Sequence, residues 1–350
     1  MRILFSLIFT IYSFCSYSQE GRDTLTAFIS SKLDSMPSGF AVSVALIKNE
    51  EIRYVGLTKH NDTWIIRDLK DSLFEIGSIT KIFTSTLLAH QVVHSKLKLT
   101  KPINKSFPYK LNNKIKLTYQ DLANHTSGLP RLPSNIFPLI IKNQDNPYAE
   151  YSVELLDKYL QEDLKLNKSK NSSYAYSNLG AGLLAYALSN ICEEPFENLL
   201  EKDIFAKYNM TQTAFDLKTS YSGISGENQP ASNWQFNALK GAGGLISSTS
   251  DLSKFIIAQF DSTNYGLSLT RQPTHSISTN MSIGLGWHII NPAHSQTKYW
   301  HNGATGGFTS SISFRTSNKT SVIILSNISA LHKQSMLIDK VCFELLDLLK

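Results

Sequence analysis

The sequence predicts an α+β protein in which an antiparallel sheet, built from both termini and flanked by helices, carries an inserted, mainly helical region. Three observations support this fold class. Strand-like pairs occur near both ends of the chain, and helical patterns occupy the middle. The chain has 350 residues, of which 42% are hydrophobic, so it is long enough for one large domain or two closely packed ones.

The first 18 residues have the features of a secretory signal peptide. Met1-Arg2 precedes an apolar run over residues 3–14, and the small residues Ser16 and Ser18 precede Gln19. The run is shorter than the roughly 20 residues that cross a bilayer. We therefore expect cleavage after residue 18, a periplasmic or secreted protein and no stable membrane span.

The cysteines leave one alternative open. Cys15 would allow a lipoprotein, but bulky Phe14 before it replaces the small residue usual at that position, so we rank lipidation second. After cleavage Cys192 and Cys342 remain, each within an apolar helical pattern. We expect two buried thiols rather than a disulfide.

The mature chain is predicted to start with a helix from Thr24 to Met36, which leads into a β-hairpin. Four apolar residues at every second position indicate one face of a strand: Phe40, Val42, Val44 and Leu46. A polar turn at Lys48–Glu51 follows, and Ile52–Gly56 returns as the second strand.

The far end of the chain mirrors this pattern. Phe308–Phe314 and Ser321–Leu325 are predicted strands joined by a turn at residues 316–320, and Leu331–Leu349 is predicted to be a closing amphipathic helix.

We expect the domain limits to follow from these elements. Residues 1–18 are the signal peptide, residues 19–75 together with 205–350 form the sheet region, and residues 76–204 form the mainly helical region.

Ser78-Ile79-Thr80-Lys81 places a hydroxyl and an amine on one face of a helix, three residues apart. The following residues are apolar over much of the helical circumference, so Ser78 is expected to open a buried helix. A lysine that is partly desolvated can act as a base for a neighbouring serine. Taken alone, the pattern favours a simple helix cap, with Lys81 extending to water.

Two further segments carry polar residues just before a predicted regular element. Tyr176-Ser177-Asn178 precedes an apolar helical run from Leu179 to Leu188, and His301-Asn302-Gly303 precedes a strand-like segment. A packed tyrosine or a turn asparagine would explain each segment separately. Their order with Ser78 and Lys81 is what favours a catalytic site.

These segments resemble the three ordered motifs of the serine β-lactamases and penicillin-recognising D-alanyl-D-alanine peptidases, and in particular those of class C β-lactamases and their esterase and peptidase relatives. The middle motif of that group is Tyr-x-Asn, as in Tyr176-Ser177-Asn178. Secondary similarities occur at His125–Pro130, Asn209–Phe215, Gly243–Ser248 and Gly284–Trp287. The resemblance covers nearly all of the chain after the first twenty or so residues.

The resemblance implies roles for the matching residues. Ser78 would be the nucleophile, Lys81 and Tyr176 would exchange its proton, and Asn178 would orient the substrate amide or Lys81. The backbone N–H groups of Ser78 and Ala304 would form the oxyanion hole. The active site would lie in a cleft between the two regions, and neither a metal nor a cofactor would be needed.

The third motif departs from the family pattern. Most β-lactamases have Lys-Thr-Gly where this chain has His301, Asn302 and Gly303, which we assign to substrate binding together with Asn178 and Ala304. An imidazole with an ordinary pKa of about 6.5 would be largely neutral at pH 7.5. We expect turnover of carboxylate-bearing substrates to fall as pH rises through the titration of His301.

Other chemistries have less support in the sequence. The net charge of +6 is spread over scattered lysines, which indicates a solvated surface rather than a nucleic-acid partner. His90 and His94 are spaced four apart, without the further ligands of a metal motif, and are expected to be packed or solvated. No Gly-x-Ser-x-Gly or dinucleotide fingerprint is present.

We therefore expect an exported, monomeric serine hydrolase that forms an acyl-serine and acts on a small-molecule or peptidoglycan-derived substrate. Hydrolysis of the β-lactam amide ranks first. D-alanyl-D-alanine carboxypeptidase, D-amino-acid peptidase or carboxylesterase activity is the alternative. A penicillin-binding sensor that does not turn over is the further alternative, and deacylation separates it from an enzyme.

Overall fold

A computed structural model describes residues 24–167, 173–293 and 295–349. The predicted signal peptide and Cys15 lie outside these ranges. No helix within them is both long and apolar enough to cross a membrane.

A nine-stranded antiparallel sheet forms the centre of the molecule, with strand order β3-β2-β1-β14-β13-β12-β11-β10-β9. Its strands are β1 (Ala41–Lys48), β2 (Glu51–His60), β3 (Thr63–Arg67), β9 (His275–Ser278), β10 (Met281–Ile283), β11 (His288–Ile290), β12 (Lys298–Ala304), β13 (Thr309–Arg315) and β14 (Thr320–Ser326). Strands from both ends of the chain meet where β1 pairs with β14. The predicted fold class is confirmed.

Shorter elements connect and cover this sheet. The small strands are β4 (Phe74–Glu75), β5 (Ala214–Phe215), β6 (Gly223–Ile224), β7 (Pro230–Ala231) and β8 (Leu245–Ser247). The helices are α1 (residues 24–32), α2 (Thr80–Val93), α3 (Tyr119–Ala123), α4 (Phe137–Lys142), α5 (Val153–Lys158), α6 (Asn178–Cys192), α7 (Phe196–Leu200), α8 (Thr249–Gln259), α9 (Tyr265–Thr270) and α10 (Met336–Leu348). The predicted limits of the sheet and helical regions stay a prediction.

Strand β1, the third from one edge of the sheet, is buried on both faces, and its side chains alternate between two cores. Val42, Val44 and Leu46 pack with α1 and α10. Ala45 and Ile47 belong to the larger core on the side of α2 and α6. The period of two that was visible in the sequence therefore assigns the strand faces correctly.

Helix α2 passes through the middle of the larger core. Its residues from Thr80 to Ala89 are all buried, as the apolar sequence predicted. A 3-10 turn, Gly77–Ile79, precedes the helix and carries Ser78. The serine is thus held one turn before the α-helix and not within it.

The closing helix starts later than predicted, at Met336 instead of Leu331. Leu331 is 85% exposed, so it does not continue the apolar face of the helix. Turns cover the preceding residues, because His332 N–H donates to Ser329 O and Ser335 N–H donates to His332 O.

Both remaining cysteines are free thiols, but only one is buried. Cys342 lies inside the core of α10, whereas Cys192 at the end of α6 is partly exposed. The expectation of two buried thiols is therefore wrong for Cys192, because α6 ends at the surface there.

The lysines are less scattered than the sequence suggested. A surface pocket of about 550 Å³ has Pro102, Tyr109 and Leu111 in its lining. Five lysines lie around it: Lys101, Lys105, Lys110, Lys114 and Lys116. The chain folds this lysine-rich stretch around a single depression, and the positive potential is concentrated there.

Two glycines allow the turn before α2 to touch strand β12 backbone to backbone. Gly77 has φ +49°, and a Cβ on it would lie 2.5 Å from Ala304 N. A Cβ on Gly303 would lie 1.9 Å from Ile76 O. Ser310 Oγ also donates to Ile76 O at 2.9 Å, which ties the same turn to β13.

We expect Gly77→Ala to lower the free energy of unfolding by about 2 kcal/mol or more, because it combines left-handed strain with a backbone clash. Urea denaturation measures the loss. Gly266→Ala in helix α9 is the control, since the nearest atom to its new Cβ would be Asn264 Oδ1, at 3.7 Å. This substitution should leave the free energy of unfolding unchanged or raise it by up to about 1 kcal/mol. Equal effects of the two substitutions would contradict the backbone contact as their cause.

Candidate active site

The side chains of Ser78, Lys81 and Tyr176 meet at one point. Lys81 Nζ lies 2.9 Å from Ser78 Oγ. Tyr176 OH donates to the same oxygen at 2.7 Å. The helical spacing predicted the first contact, whereas the second joins residues 98 positions apart in the chain.

Lys81 is almost completely enclosed, with only 2% of its surface exposed. Its Nζ donates to Ala242 O at 2.5 Å. Burial holds the pKa of Lys81 well below its ordinary value, and the positive charge of Arg131 lowers that pKa further. The amine donates to both Ala242 O and Ser78 Oγ in this structure, and its lowered pKa favours the neutral form that can accept a proton from the serine.

Burial shifts the pKa of Tyr176 in the opposite direction to that of Lys81. Burial raises its pKa above the ordinary value, although the hydrogen bond to Ser78 and the charge of Arg131 lower it. The phenol is therefore protonated at neutral pH and donates to Ser78 Oγ. Its ring lies between the Lys81 amine, whose Nζ is 4.8 Å from the ring centroid, and the Arg131 guanidinium, whose Cζ is 5.2 Å from it.

The second motif is fixed by the start of helix α6. Ser177 is the N-cap of this helix, and its Oγ accepts from Gly180 N–H. The same Oγ donates to Pro130 O at 2.6 Å. The cap therefore joins the loop around residue 130 to the segment that carries Tyr176.

Asn178 is the first residue of α6 and is buried. Its Nδ2 donates to Tyr148 OH at 2.9 Å. Its Oδ1 has no hydrogen-bond partner among the described residues. Asn178 was expected to orient either Lys81 or a substrate amide. The hydrogen bonds of Lys81 Nζ go to Ser78 Oγ and Ala242 O instead of Asn178. Contact between Asn178 Oδ1 and a substrate amide stays a prediction.

The third motif lies on strand β12 and, as predicted, just ahead of a further strand, β13. Ala304 pairs with Thr309, and Thr305 N–H donates to Phe308 O at 2.9 Å. Since N–H groups alternate sides along an antiparallel strand, Ala304 N–H points away from β13.

The other neighbour of β12 does not reach Ala304. Strand β11 pairs with β12 only from Lys298 to Trp300. Ala304 N–H is therefore directed toward the backbone at Gly77, next to Ser78. This is the position that the predicted oxyanion hole requires.

His301 is placed differently from the expectation. It is only 1% exposed, and burial, with the nearby charges of His288 and Lys81, holds its pKa well below the ordinary value. Its Nδ1 donates to Asn302 O at 2.6 Å, and its Nε2 has no partner among the described residues. His301 is thus an enclosed imidazole whose neutral form is favoured by burial; its titration is displaced to lower pH, and the expected fall of turnover through that titration stays a prediction.

Asn302 also departs from its predicted role in substrate binding. Its Nδ2 donates to Asp339 Oδ2 at 2.7 Å on helix α10. Because side chains alternate across a strand, this face is opposite to the one that His301 and Gly303 occupy. The amide side chain therefore stabilises the sheet and helix contact, and Gly303 contributes its lack of a side chain.

A layer of buried histidines lies behind Tyr176. The ring of His125 is 4.5 Å from that of Tyr176, and the rings of His288 and His301 are 5.3 Å apart. Burial lowers the pKa of all three, that of His288 to about 4. Tyr174 OH lies 2.8 Å from His288 Nε2.

His90 and His94 stack on one another with ring centroids 4.1 Å apart, and His90 Nδ1 lies 3.3 Å from Asp203. Across residues 24–167, 173–293 and 295–349 there is no group of three side chains suited to hold a metal ion.

Sequence reasoning missed two groups at the centre of the site. Ala242 supplies the carbonyl that holds Lys81, and Arg131 places its charge over Tyr176. Arg131 directly follows the segment His125–Pro130, which carried part of the resemblance, so its position was a usable signal. No pattern indicated Ala242, because a backbone carbonyl leaves no trace in side-chain identity.

A cavity of about 730 Å³ opens beside Tyr176 on the helical side. Its lining includes Arg131, Leu132, Phe137 and Tyr159. It adjoins the nucleophile through the Tyr176 ring and is large enough for a small-molecule substituent.

Comparison with known proteins agrees with this geometry. Residues 39–338 match the family described as Beta-lactamase. The chain is 28% identical over 306 residues to the D-alanyl-D-alanine-carboxypeptidase/endopeptidase AmpH of Escherichia coli (strain K12), covering 77% of this chain and 74% of that protein. It is 24% identical over 327 residues to a beta-lactamase of Pseudomonas fluorescens, covering 82% and 88%. The beta-lactamase/D-alanine carboxypeptidase structure from Pseudomonas syringae superposes with a TM-score of 0.77 at 19% identity, over 93% of this chain and 99% of that one.

We expect the rate at which a fluorophosphonate probe labels Ser78 to rise with pH to a plateau, because Lys81 must be deprotonated to accept the serine proton. Removing the charge of Arg131 stabilises the lysine ammonium and raises the pKa of Lys81. In Arg131→Gln the rising limb should therefore move to higher pH, while the exposed control Arg53→Gln should leave it in place. If the labelling rates of Arg131→Gln and the wild type rise over the same pH range, Lys81 is not the base that controls labelling of Ser78.

We also expect the protein to lose stability in mild acid. His125, His288 and His301 are buried neutral, so below pH 6.5 the unfolded chain binds protons that the folded chain does not. Each should cost about 1 kcal/mol between pH 7 and pH 5.5. Urea unfolding at the two pH values should show a smaller difference for His288→Gln and the wild-type difference for exposed His60→Gln. A wild-type stability that stays constant down to pH 5.5 would mean that the imidazoles are already charged in the fold.

Proposed function

Because this chain belongs to the beta-lactamase family of serine hydrolases, we propose that it hydrolyses the β-lactam amide through an acyl intermediate on Ser78, as class C enzymes of that family do. The observation that carries the proposal is the meeting of Lys81 Nζ and Tyr176 OH on Ser78 Oγ, at 2.9 and 2.7 Å. A serine contacted by both a neutral amine and a protonated phenol has a base and an acid at hand.

In the acylation step Ser78 Oγ attacks the substrate carbonyl and transfers its proton to the Lys81 amine. The lowered pKa of Lys81 keeps this amine free to accept the proton. The tetrahedral oxyanion would be held by the N–H groups of Ser78 and Ala304, which the Gly77 turn and β12 bring together.

Collapse of the tetrahedral intermediate requires a proton on the departing nitrogen. Tyr176 is suited to give it, since burial keeps its phenol protonated, and the Lys81 ammonium can restore the phenol proton. Water then attacks the acyl-enzyme along the reverse route, with Lys81 and Tyr176 again carrying the proton, and Ser78 is released.

Hydrolysis of D-alanyl-D-alanine peptides is a second candidate. The relative from Escherichia coli is described as a D-alanyl-D-alanine carboxypeptidase and endopeptidase, and its identity to this chain is 28%. His301 in place of the lysine of most β-lactamases weakens the specific case for the first candidate while leaving acyl transfer intact. The same acyl-serine chemistry serves both substrates.

We propose that the protein acts outside the cytoplasm. The support is the apolar run over residues 3–14 with small residues before Gln19.

The test is a time course of residues 19–350, and of Ser78→Ala, with a chromogenic cephalosporin and intact-protein mass spectrometry on the same samples. A β-lactamase should show rapid hydrolysis and a short-lived adduct, both lost in Ser78→Ala. A long-lived adduct would replace the first candidate by a peptidase or a sensor. Absence of both hydrolysis and adduct would contradict the β-lactam proposal and direct the search to esters.

A further inference from the structure

Arg131 is an exposed cation at the edge of the catalytic site. Its guanidinium carbon lies 5.2 Å from the centroid of the Tyr176 ring, and Tyr176 bonds the nucleophile. Among the described residues, no carboxylate lies within ion-pair distance of this guanidinium. An arginine that makes no ion pair inside the protein is free to bind an external anion.

The backbone of Arg131 is fixed relative to the second motif. Arg131 O accepts from Leu179 N–H at 3.0 Å, and Pro130 O accepts from Ser177 Oγ at 2.6 Å. The loop cannot move independently of the start of α6. The guanidinium is therefore held near the reacting atoms by the same element that carries Tyr176.

Arg131 lines the cavity beside Tyr176, which has a volume of about 730 Å³. Three charged residues line it, the cations Arg131 and Lys165 and the acid Asp163, so the lining carries a formal charge of +1. Leu132 and Phe137 supply apolar surface in the same lining. A substituent with an apolar body and an anionic end would match this wall.

The cavity lies on one side of the nucleophile and the proposed oxyanion hole on the other. Ala304 N–H approaches Ser78 from the sheet, whereas Arg131 and the cavity lie on the helical side. A substrate whose carbonyl oxygen faces Ala304 has its acyl and leaving groups directed elsewhere, and the cavity lined by Arg131 offers space for the acyl substituent. The third motif offers no competing charge, because His301 is enclosed and neutral.

We propose that Arg131 forms a subsite for a carboxylate on the acyl side of the substrate, so that the protein prefers acyl donors with an anionic side chain. This inference rests on the proposed acyl-serine function. It concerns the acyl substituent, which is distinct from the carboxylate on the leaving-group side of a β-lactam or peptide.

The probes are benzylpenicillin and carbenicillin, which differ by one carboxylate on the acyl side chain. Each is tested for protection of Ser78 against a fluorophosphonate label, which reports occupancy of the site with or without turnover. Wild type should need at least about threefold less carbenicillin than benzylpenicillin for half protection, as expected for a partly exposed charge pair. The ratio should approach one in 0.5 M salt.

Variants separate this subsite from general electrostatics. Arg131→Gln should abolish the preference and Arg131→Lys should keep part of it, while Arg53→Gln, an exposed arginine on β2, should keep all of it. The ratio of the two penicillins is the readout because Arg131 also acts on Lys81, which alters both penicillins equally. A wild type without preference, or an Arg131→Gln that retains it, would overturn the inference.

The label distinguishes failure of the subsite from failure of the function. If the fluorophosphonate labels wild type but not Ser78→Ala and the ratio is one, the acyl-serine chemistry stands and the subsite is wrong. If Ser78 is not labelled at all, the proposed function itself fails.

Discussion

The contact between the Gly77 turn and strand β12 is the constraint on which the active site depends. Ile76 O meets Gly303, and Ala304 N meets Gly77, at distances that leave no room for a Cβ on either glycine. This contact brings a helix start and a sheet edge together, each of which has an N–H group without a partner in its own element. The two elements can approach this closely, as the proposed oxyanion hole requires, only because both residues at the crossing lack a side chain.

Burial of Lys81 is the second requirement, and it has a cost. An amine that is 2% exposed loses most of its hydration, and this loss lowers its pKa. Lys81 Nζ is hydrogen-bonded to Ala242 O and to Ser78 Oγ, and these two bonds meet the hydrogen-bonding requirement of the buried amine without a positive charge. The same desolvation acts in the opposite direction on Tyr176, where it favours the neutral phenol. One dry environment thus supplies a base and an acid on either side of a single hydroxyl.

The region behind Tyr176 is polar but uncharged. His125, His288 and His301 are buried there with lowered pKa values, in contact with one another or with Tyr174 and Tyr176. A lysine in place of His301 would add a charge close to Lys81. The imidazole of His301, whose pKa burial lowers, favours the neutral form instead, and a fixed positive charge beside Tyr176 comes from Arg131 on the helical side. The distribution of charge in this cleft therefore differs from what the third motif alone would suggest.

The sequence by itself determined the elements and the reactive pair. A period of two placed Val42, Val44 and Leu46 on one face of β1, and a spacing of three placed Lys81 beside Ser78, because both depend only on local backbone geometry. Tertiary structure decided what depends on distant chain segments: that His301 is enclosed, that Asn302 bonds Asp339, and that burial and then the charge of Arg131 lower the pKa of Lys81, whose amine donates to Ala242 O. Asn302 and Asp339 are 37 positions apart and Lys81 and Ala242 are 161 apart, so burial and charge come from residues outside the local sequence, of which a residue's own letter carries no record.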